Sequence, residues 1–384
     1  MDALALLALA FVVVALSVHL LTTLWASRRC RVPPTRELPG FAHGPSVSII
    51  RPVCGVDPHE EATLRSTFAL DSRHYEILFC CASRSDPVVP LVERLIAGHP
   101  HVPARLLIGE DRISQNPKLN NVAKGWRAAV HGWVVIADSN VAMPPDFLQR
   151  LLASWREDTG LVSAPPIGCS AQSVWAEFEC AFLNGYQARW QYAADSAGLG
   201  FAQGKVMLWR RSDLEWAGGI RALGAELAED AAATKVVRGL GLNVRLADGA
   251  FPQPLGARTA LQVWNRQLRW ARLRRATFPG WFAAEPLSGL VPPLLAGFAA
   301  QVFDLDVATV MGLIAGAWLA AELALTVAVG WPLTWRAPLL WLLREAALPV
   351  LWTQAWFGSS FSWRGSEISL GDRDEGLRTA GGRG

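Results

Sequence analysis

Three acidic positions stand where carboxylates can do chemistry. Asp86 follows the apolar run that ends in Cys80-Cys81, and Asp138 directly follows Val134-Val135-Ile136-Ala137. A carboxylate at the end of a buried strand loses hydration unless a metal ion, a hydroxyl-rich ligand or a base meets it. One such Asp often serves only as a helix cap; two on one sheet edge favour a ligand site. The third position, Glu226-Leu227-Ala228-Glu229-Asp230, opens a stretch that reads as helix to Gly239. Acidic groups there also simply complement a helix dipole. Further on, Arg258, Arg266, Arg269, Arg272, Arg274 and Arg275 are interleaved with Trp264 and Trp270. At helical spacing Arg266, Arg269 and Trp270 share a face. That face suits a diphosphate clamp beside an apolar or sugar-binding wall, and equally an amphipathic helix on a membrane surface.

Other chemistries lack their residues. No G-x-G-x-x-G follows the first strand, and there is no G-x-x-x-x-G-K-[ST] and no G-x-S-x-G, which disfavours dinucleotide, P-loop and serine-hydrolase sites. The six Cys form no C-x-x-C pair, and all seven His lie at or before His131. A zinc site is therefore disfavoured, and free thiols in a reducing compartment are expected. A phosphate-bearing ligand is then held most economically by a metal on Asp138 plus Arg or Lys.

These residues need a scaffold. Val47–Ile50, Glu76–Cys81, Arg105–Ile108 and Trp133–Ala137 read as strands, with helices over Pro58–Leu70, Pro87–Ala97 and Leu119–Ala129 between them. That alternation predicts a mainly parallel α/β sheet, whose ligand site lies beyond the carboxyl ends of the strands.

The flanks are of another kind. Apolar types make up 51% of the 384 residues and charged types 18%, against roughly 25% charged in soluble domains. Leu4–Leu24 is almost unbroken apolar sequence followed by Arg28, Arg29, Arg31 and Arg36. That is the pattern of a retained anchor whose following residues stay in the cytoplasm. Three more apolar segments are expected near Leu287–Phe303, Val307–Val329 and Pro338–Phe357, the first kinked or re-entrant at Pro292-Pro293. Glu322 and Arg344-Glu345 fall inside them. Such charges face protein or water, either as the wall of a lipid-facing site or as an Arg344–Glu345 pair neutralising itself. Net charge is +3, with no dense basic face for nucleic acid. Only Lys118, Lys124, Lys205 and Lys235 are lysines; every other basic residue is Arg.

The motifs, taken in order, resemble the ceramide glucosyltransferase family. They are Arg51-Pro52-Val53-Cys54-Gly55-Val56-Asp57-Pro58, Asn116-Pro117-Lys118-Leu119-Asn120-Asn121, Asp138-Ser139-Asn140, Ala228-Glu229-Asp230, Arg266-Gln267-Leu268-Arg269-Trp270 and Ser362-Trp363-Arg364-Gly365. They run from about residue 47 to residue 365. The resemblance implies a GT-A nucleotide-sugar domain on the cytoplasmic face of the inner (plasma) membrane, with one N-terminal and about three C-terminal membrane helices. It divides the chain into an anchor at 1–27, a basic linker at 28–46, the catalytic domain at 47–257, an interface helix at 258–280, membrane segments at 281–360 and a polar tail at 361–384. It implies inverting transfer of glucose from UDP-glucose to ceramide. Asp86, Lys118, Asn120 and Asp138 would hold the donor, Asp138 through Mg2+ or Mn2+. Asp230 would be the general base, and Arg266, Arg269 and Trp270 would close the site on the leaving diphosphate.

Two departures fall where an acceptor would enter. Gln187 stands near the position of a His in eukaryotic members, and Gln203-Gly204-Lys205 replaces a Cys-containing loop. Gln187, Gln203 and Trp270 are the expected acceptor contacts. Diacylglycerol or a hopanoid as acceptor, another UDP-sugar as donor, and a catalytically silent lipid-binding scaffold are the competing expectations.

Overall fold

The computed structural model describes residues 3–31, 44–72, 74–300, 306–358, 360–363 and 366–369. Arg36, Asp304, Arg364-Gly365, most of the linker and the tail from 370 onward lie outside the described residues. The described residues fall into two compact units. One is drawn from Met1–Arg31, Ser170–Ala193 and Ala257–Ser359, the other from Val32–Cys169, Ala194–Gly256 and Ser360–Gly384.

The second unit is built on nine strands: β1 Val47–Val53, β2 Tyr75–Cys81, β3 Ala104–Ile108, β4 Trp133–Ala137, β5 Thr159–Ser163, β6 Pro166–Ala171, β7 Val206–Arg210, β8 Asn243–Leu246 and β9 Phe251–Gly256. Seven form one sheet in the order β3-β2-β1-β4-β7-β5-β8, while β6 pairs with β9. Strands β3, β2, β1 and β4 are parallel neighbours, β7 lies antiparallel between β4 and β5, and β8 is parallel to β5. A further pair, Ser360–Trp363 with Ser366–Ser369, is antiparallel.

The run from β1 to β3 goes one way and β4 lies on the other side of β1, so the order reverses between β1 and β4. A crevice opens at such a reversal, beyond the strand ends. Strands β1 and β2 are buried along their whole length, because helices cover both faces. The pleat sorts their side chains. Ile49, Ile77, Phe79 and Val135 pack with Leu64, Val92 and Leu151; Ile50, Leu78, Val134 and Ile136 pack with Leu119, Val122, Trp126 and Val237.

The first unit is helical. Among the described residues, Ala3–Arg29 and Val307–Val329 are long and apolar enough to cross a membrane, and a third span results if the bent pair Pro279–Ser288 and Val291–Ala299 counts as one. The sequence placed the kink at Pro292-Pro293. The 57° bend lies before them, and the two prolines occupy the first turn of the Val291–Ala300 helix, where a missing N–H costs nothing. Ala337–Trp356, expected as a third C-terminal span, is a continuous helix but is not among those apolar enough, since Arg344 and Glu345 interrupt it.

The Ala260–Thr277 helix starts at a capping box of Thr259 and Gln262. The sequence left its apolar stripe open to a membrane surface. Val263, Leu268 and Ala271 instead pack on Phe178, Phe282, Leu340 and Leu351, so this stripe is covered by the unit's own helices.

Candidate active site

The Asp138-Ser139-Asn140 turn leaves the end of β4 and is held from β1. Arg51 is fully buried; its Nη2 donates to the Ser139 carbonyl at 2.8 Å and the Val141 carbonyl at 3.1 Å, and its Nη1 to Thr67 Oγ1 at 2.8 Å. An Arg fork can hold several backbone acceptors in fixed directions. Asp86 stands on the same edge after β2, where its Oδ1 accepts the N–H groups of Gly55 and Val88 at 2.9 Å each. It thus ties the segment after β1 to the turn that precedes the Val89–Gly98 helix.

Lys118 comes in at the start of the Pro117–Ala128 helix. Asn116 caps that helix, accepting the N–H groups of Lys118 and Leu119, and donates through Nδ2 to Glu229 Oε2 at 2.7 Å. Asn120, an expected donor contact, is turned to its own loop. Its Oδ1 accepts from the Ile113 and Ser114 N–H groups, and its Nδ2 donates to the Ser114 carbonyl.

The helix lies close on the sheet because residue 125 is Gly. A Cβ there would be 2.7 Å from Cys80 Sγ and 2.8 Å from Ile50 Cγ2.

These elements bring five charged groups together. Lys118 Nζ lies 2.6 Å from Asp138 Oδ1 and 2.6 Å from Glu229 Oε1, and it donates to the Gly204 carbonyl. Lys205 Nζ lies 2.9 Å from Asp138 Oδ2 and 3.1 Å from Asn140 Oδ1. The Gly204 N–H donates to Asp230 Oδ2 at 2.9 Å. Gly204 is the close-packed centre: a Cβ on it would be 2.9 Å from Glu229 Oε1 and 3.3 Å from Asp230 Oδ2. Gln203 is placed beside it by backbone bonds to Ser163 Oγ.

The charges set one another. Burial alone would raise Asp138, but Lys118 and Lys205 overcome it and hold the carboxyl below the usual range. Lys118, which burial would lower, is raised by Asp138 and Glu229. Among the described residues the Asp230 carboxylate is met by the Gly204 and Ala231 N–H groups and by no ammonium. Burial, with Glu229 beside it, pushes it up to about 6. One carboxylate is thus locked as an anion and another is poised as a base, the separation that acid–base chemistry uses.

This donor set does not fit a resident divalent ion. Both oxygens of Asp138 and the Asn140 oxygen are held by ammonium groups, and among the described residues no group of three His, Cys, Asp or Glu could hold a metal.

The R-x-x-R-W residues belong to the helical unit. Arg266 and Arg258 both pair with the fully buried Glu179, while Arg269 and Trp270 are half-buried on the same helix. Gln187 lies in a π-helix, Phe182–Ala188, a feature that the sequence pattern did not reveal. It donates to Gln267 Oε1 at 3.1 Å, and both line a cavity with Tyr186, Arg274 and Trp352. Glu322 and Arg344 form a two-pronged ion pair at 2.6 and 2.7 Å, with Glu345 also on Arg344. All three are buried.

The sequence profile of glycosyl transferase family 21 matches residues 5–375. The chain belongs to glycosyl transferase family 21. This family 21 chain is 28% identical over 383 residues to ceramide glucosyltransferase 1 of Caenorhabditis elegans, covering 96% of the chain and 81% of the relative. It is 30% identical to the ceramide glucosyltransferase of Komagataella phaffii, over 65% of the chain and 59% of that relative. Among solved structures it is similar to the mannosyltransferase PcManGT from Pyrobaculum calidifontis in complex with GDP-Man and Mn2+. The TM-score is 0.53 at 18% identity, covering 92% of this chain and 99% of that one. The fold is therefore of the GT-A type, and the family 21 protein is a glycosyltransferase with candidate membrane-spanning helices.

Asp138, Asp230 and Lys118 stand out in the sequence alone, whereas the roles of Glu229, Asn116, Arg51 and Lys205 emerge only from the fold. The available signal for Lys205 was composition, since so few lysines stand among so many arginines.

Proposed function

We propose that this enzyme is an inverting glycosyltransferase that moves glucose from UDP-glucose to the hydroxyl of ceramide, working from the cytoplasmic face of a membrane. The observation that carries this reading is the Asp138–Lys118–Gly204–Asp230 cluster at the strand ends. The named relatives supply the sugar and the lipid.

In this reaction the acceptor oxygen attacks the anomeric carbon while its proton passes to the Asp230 carboxylate. The bond from that carbon to the diphosphate oxygen breaks, and UDP leaves with the electron pair. Lys118 places a positive charge beside the departing anion, and preorganised charge of this kind needs no rearrangement as the reaction proceeds. One base and no enzymic nucleophile are required. Arg266, Arg269 and Trp270 are proposed to close on the diphosphate, Asp86 to contact the nucleotide, and Gln187 and Gln203 to meet the acceptor. No step is assigned to the expected Mg2+ or Mn2+; both Asp138 oxygens are bonded by lysines.

The test is purified enzyme in detergent with a panel of UDP-sugars against ceramide, diacylglycerol and a hopanoid, products being weighed by mass spectrometry. A single-hexose ceramide formed from UDP-glucose supports the proposal. Turnover of diacylglycerol but not ceramide overturns the acceptor, and no transfer from any nucleotide sugar overturns the donor.

A further inference from the structure

We propose that the ammonium of Lys205, seated between Asp138 and Asn140, takes the place of the divalent cation and meets the donor diphosphate directly. This rests on the nucleotide-diphosphate donor proposed above. The two oxygens that hold Lys205 Nζ, Asp138 Oδ2 at 2.9 Å and Asn140 Oδ1 at 3.1 Å, are among those that the turn after β4 would offer to a hard cation. The seat is fixed by strand pairing. Lys205 immediately precedes β7, which runs antiparallel to β4 with Val206 opposite Ala137, and the Asp138 N–H donates to the Lys205 carbonyl at 3.0 Å. The turn itself is pinned by the buried Arg51 fork. Neither partner reaches the other through a long flexible excursion.

Charge and composition point the same way. Lys118 and Lys205 flank the two oxygens of one carboxylate, and together they carry the two positive charges that a single divalent ion would bring. An ammonium is a compact point charge that accepts ligands from any side, as a metal ion does, whereas a guanidinium is a planar fork. Here 36 basic residues include only four lysines, and two of the four converge on Asp138. The Lys118 and Lys205 side chains remain 13% exposed, so neither is sealed from solvent.

The test measures binding of UDP and, separately, of inorganic pyrophosphate to the full-length enzyme in detergent, by calorimetry in EDTA and in Mn2+. Mn2+ binding is followed by electron paramagnetic resonance. The wild type is expected to bind both anions equally well, within about twofold, in EDTA and in Mn2+. Lys205→Met should weaken both at least tenfold in EDTA, the order expected for one charge-assisted bond. It should also gain Mn2+ binding at the vacated Asp138–Asn140 pair.

Pyrophosphate binding in EDTA without UDP binding would overturn the UDP donor and leave this proposal standing. Wild-type binding of pyrophosphate or UDP that disappears in EDTA and returns with Mn2+ would overturn this proposal, as would failure of both anions to bind in either condition. The wild-type arms decide this even if Lys205→Met does not fold.

Discussion

A base that takes a hydroxyl proton must be unprotonated at the working pH and still attract the proton when it comes. Asp230 is set between these demands by what lies around it. Burial and the neighbouring Glu229 lift it, while the Gly204 and Ala231 N–H groups steady its anion. Activity is expected to rise with pH through about 6. Asp230→Asn should remove that limb and lower turnover roughly 10²–10⁴-fold, with UDP binding retained; a variant of full activity would take Asp230 out of the base role. The stability sign is opposite. A carboxyl raised in the fold favours the folded state while protonated and loses that contribution as pH rises through its folded value. Asp230→Asn should therefore melt higher than the wild type at pH 8, which differential scanning fluorimetry in detergent can read. Asp138 lies at the other extreme, its charge held by two ammonium groups.

At the scale of elements, the site depends on how closely the Pro117–Ala128 helix approaches β1 and β2. Lys118 sits at the start of that helix and Gly125 lies where it touches the sheet, with Cys80 and Ile50 less than 3 Å from any added Cβ. Gly125→Ala should cost about 1–3 kcal/mol from overpacking, read as a fall in urea midpoint. Because the added methyl pushes the helix from the sheet, transfer should fall as well. Wild-type stability in this variant would mean that the helix contact is looser than the structure has it. Strands β1 to β4 and this helix were legible in the sequence because alternation of buried runs with helical stretches is a local property; β5 to β9, with the antiparallel β7 that seats Lys205, were not. The Ala260–Thr277 helix was found too, but the partner of its apolar stripe was not, since periodicity tells which face is buried and not against what.

For the molecule as a whole, the buried charges of the helical unit give the sharpest stability test. Arg344 reaches Glu322, Glu345 and the Ala181 carbonyl, and Glu345 also accepts the Leu290 N–H, so this network ties together four separated stretches of chain. As an ion-pair partner for Arg344 the sequence offered the adjacent Glu345; the fold adds Glu322 through two bonds. Arg344→Met leaves two buried carboxylates unpaired and should destabilise by roughly 3–5 kcal/mol, seen as a large drop in melting temperature in detergent. The double variant with Glu322→Gln should recover part of it. By itself the sequence determined the α/β class, the long apolar helices Ala3–Arg29 and Val307–Val329, the carboxylates at strand ends and the family, because hydrophobic period, length and motif order are written along the chain. Only the tertiary structure decided which cations answer those carboxylates. Ion pairing depends on distances of a few ångströms between residues up to about a hundred positions apart, and strand register and helix approach set those distances.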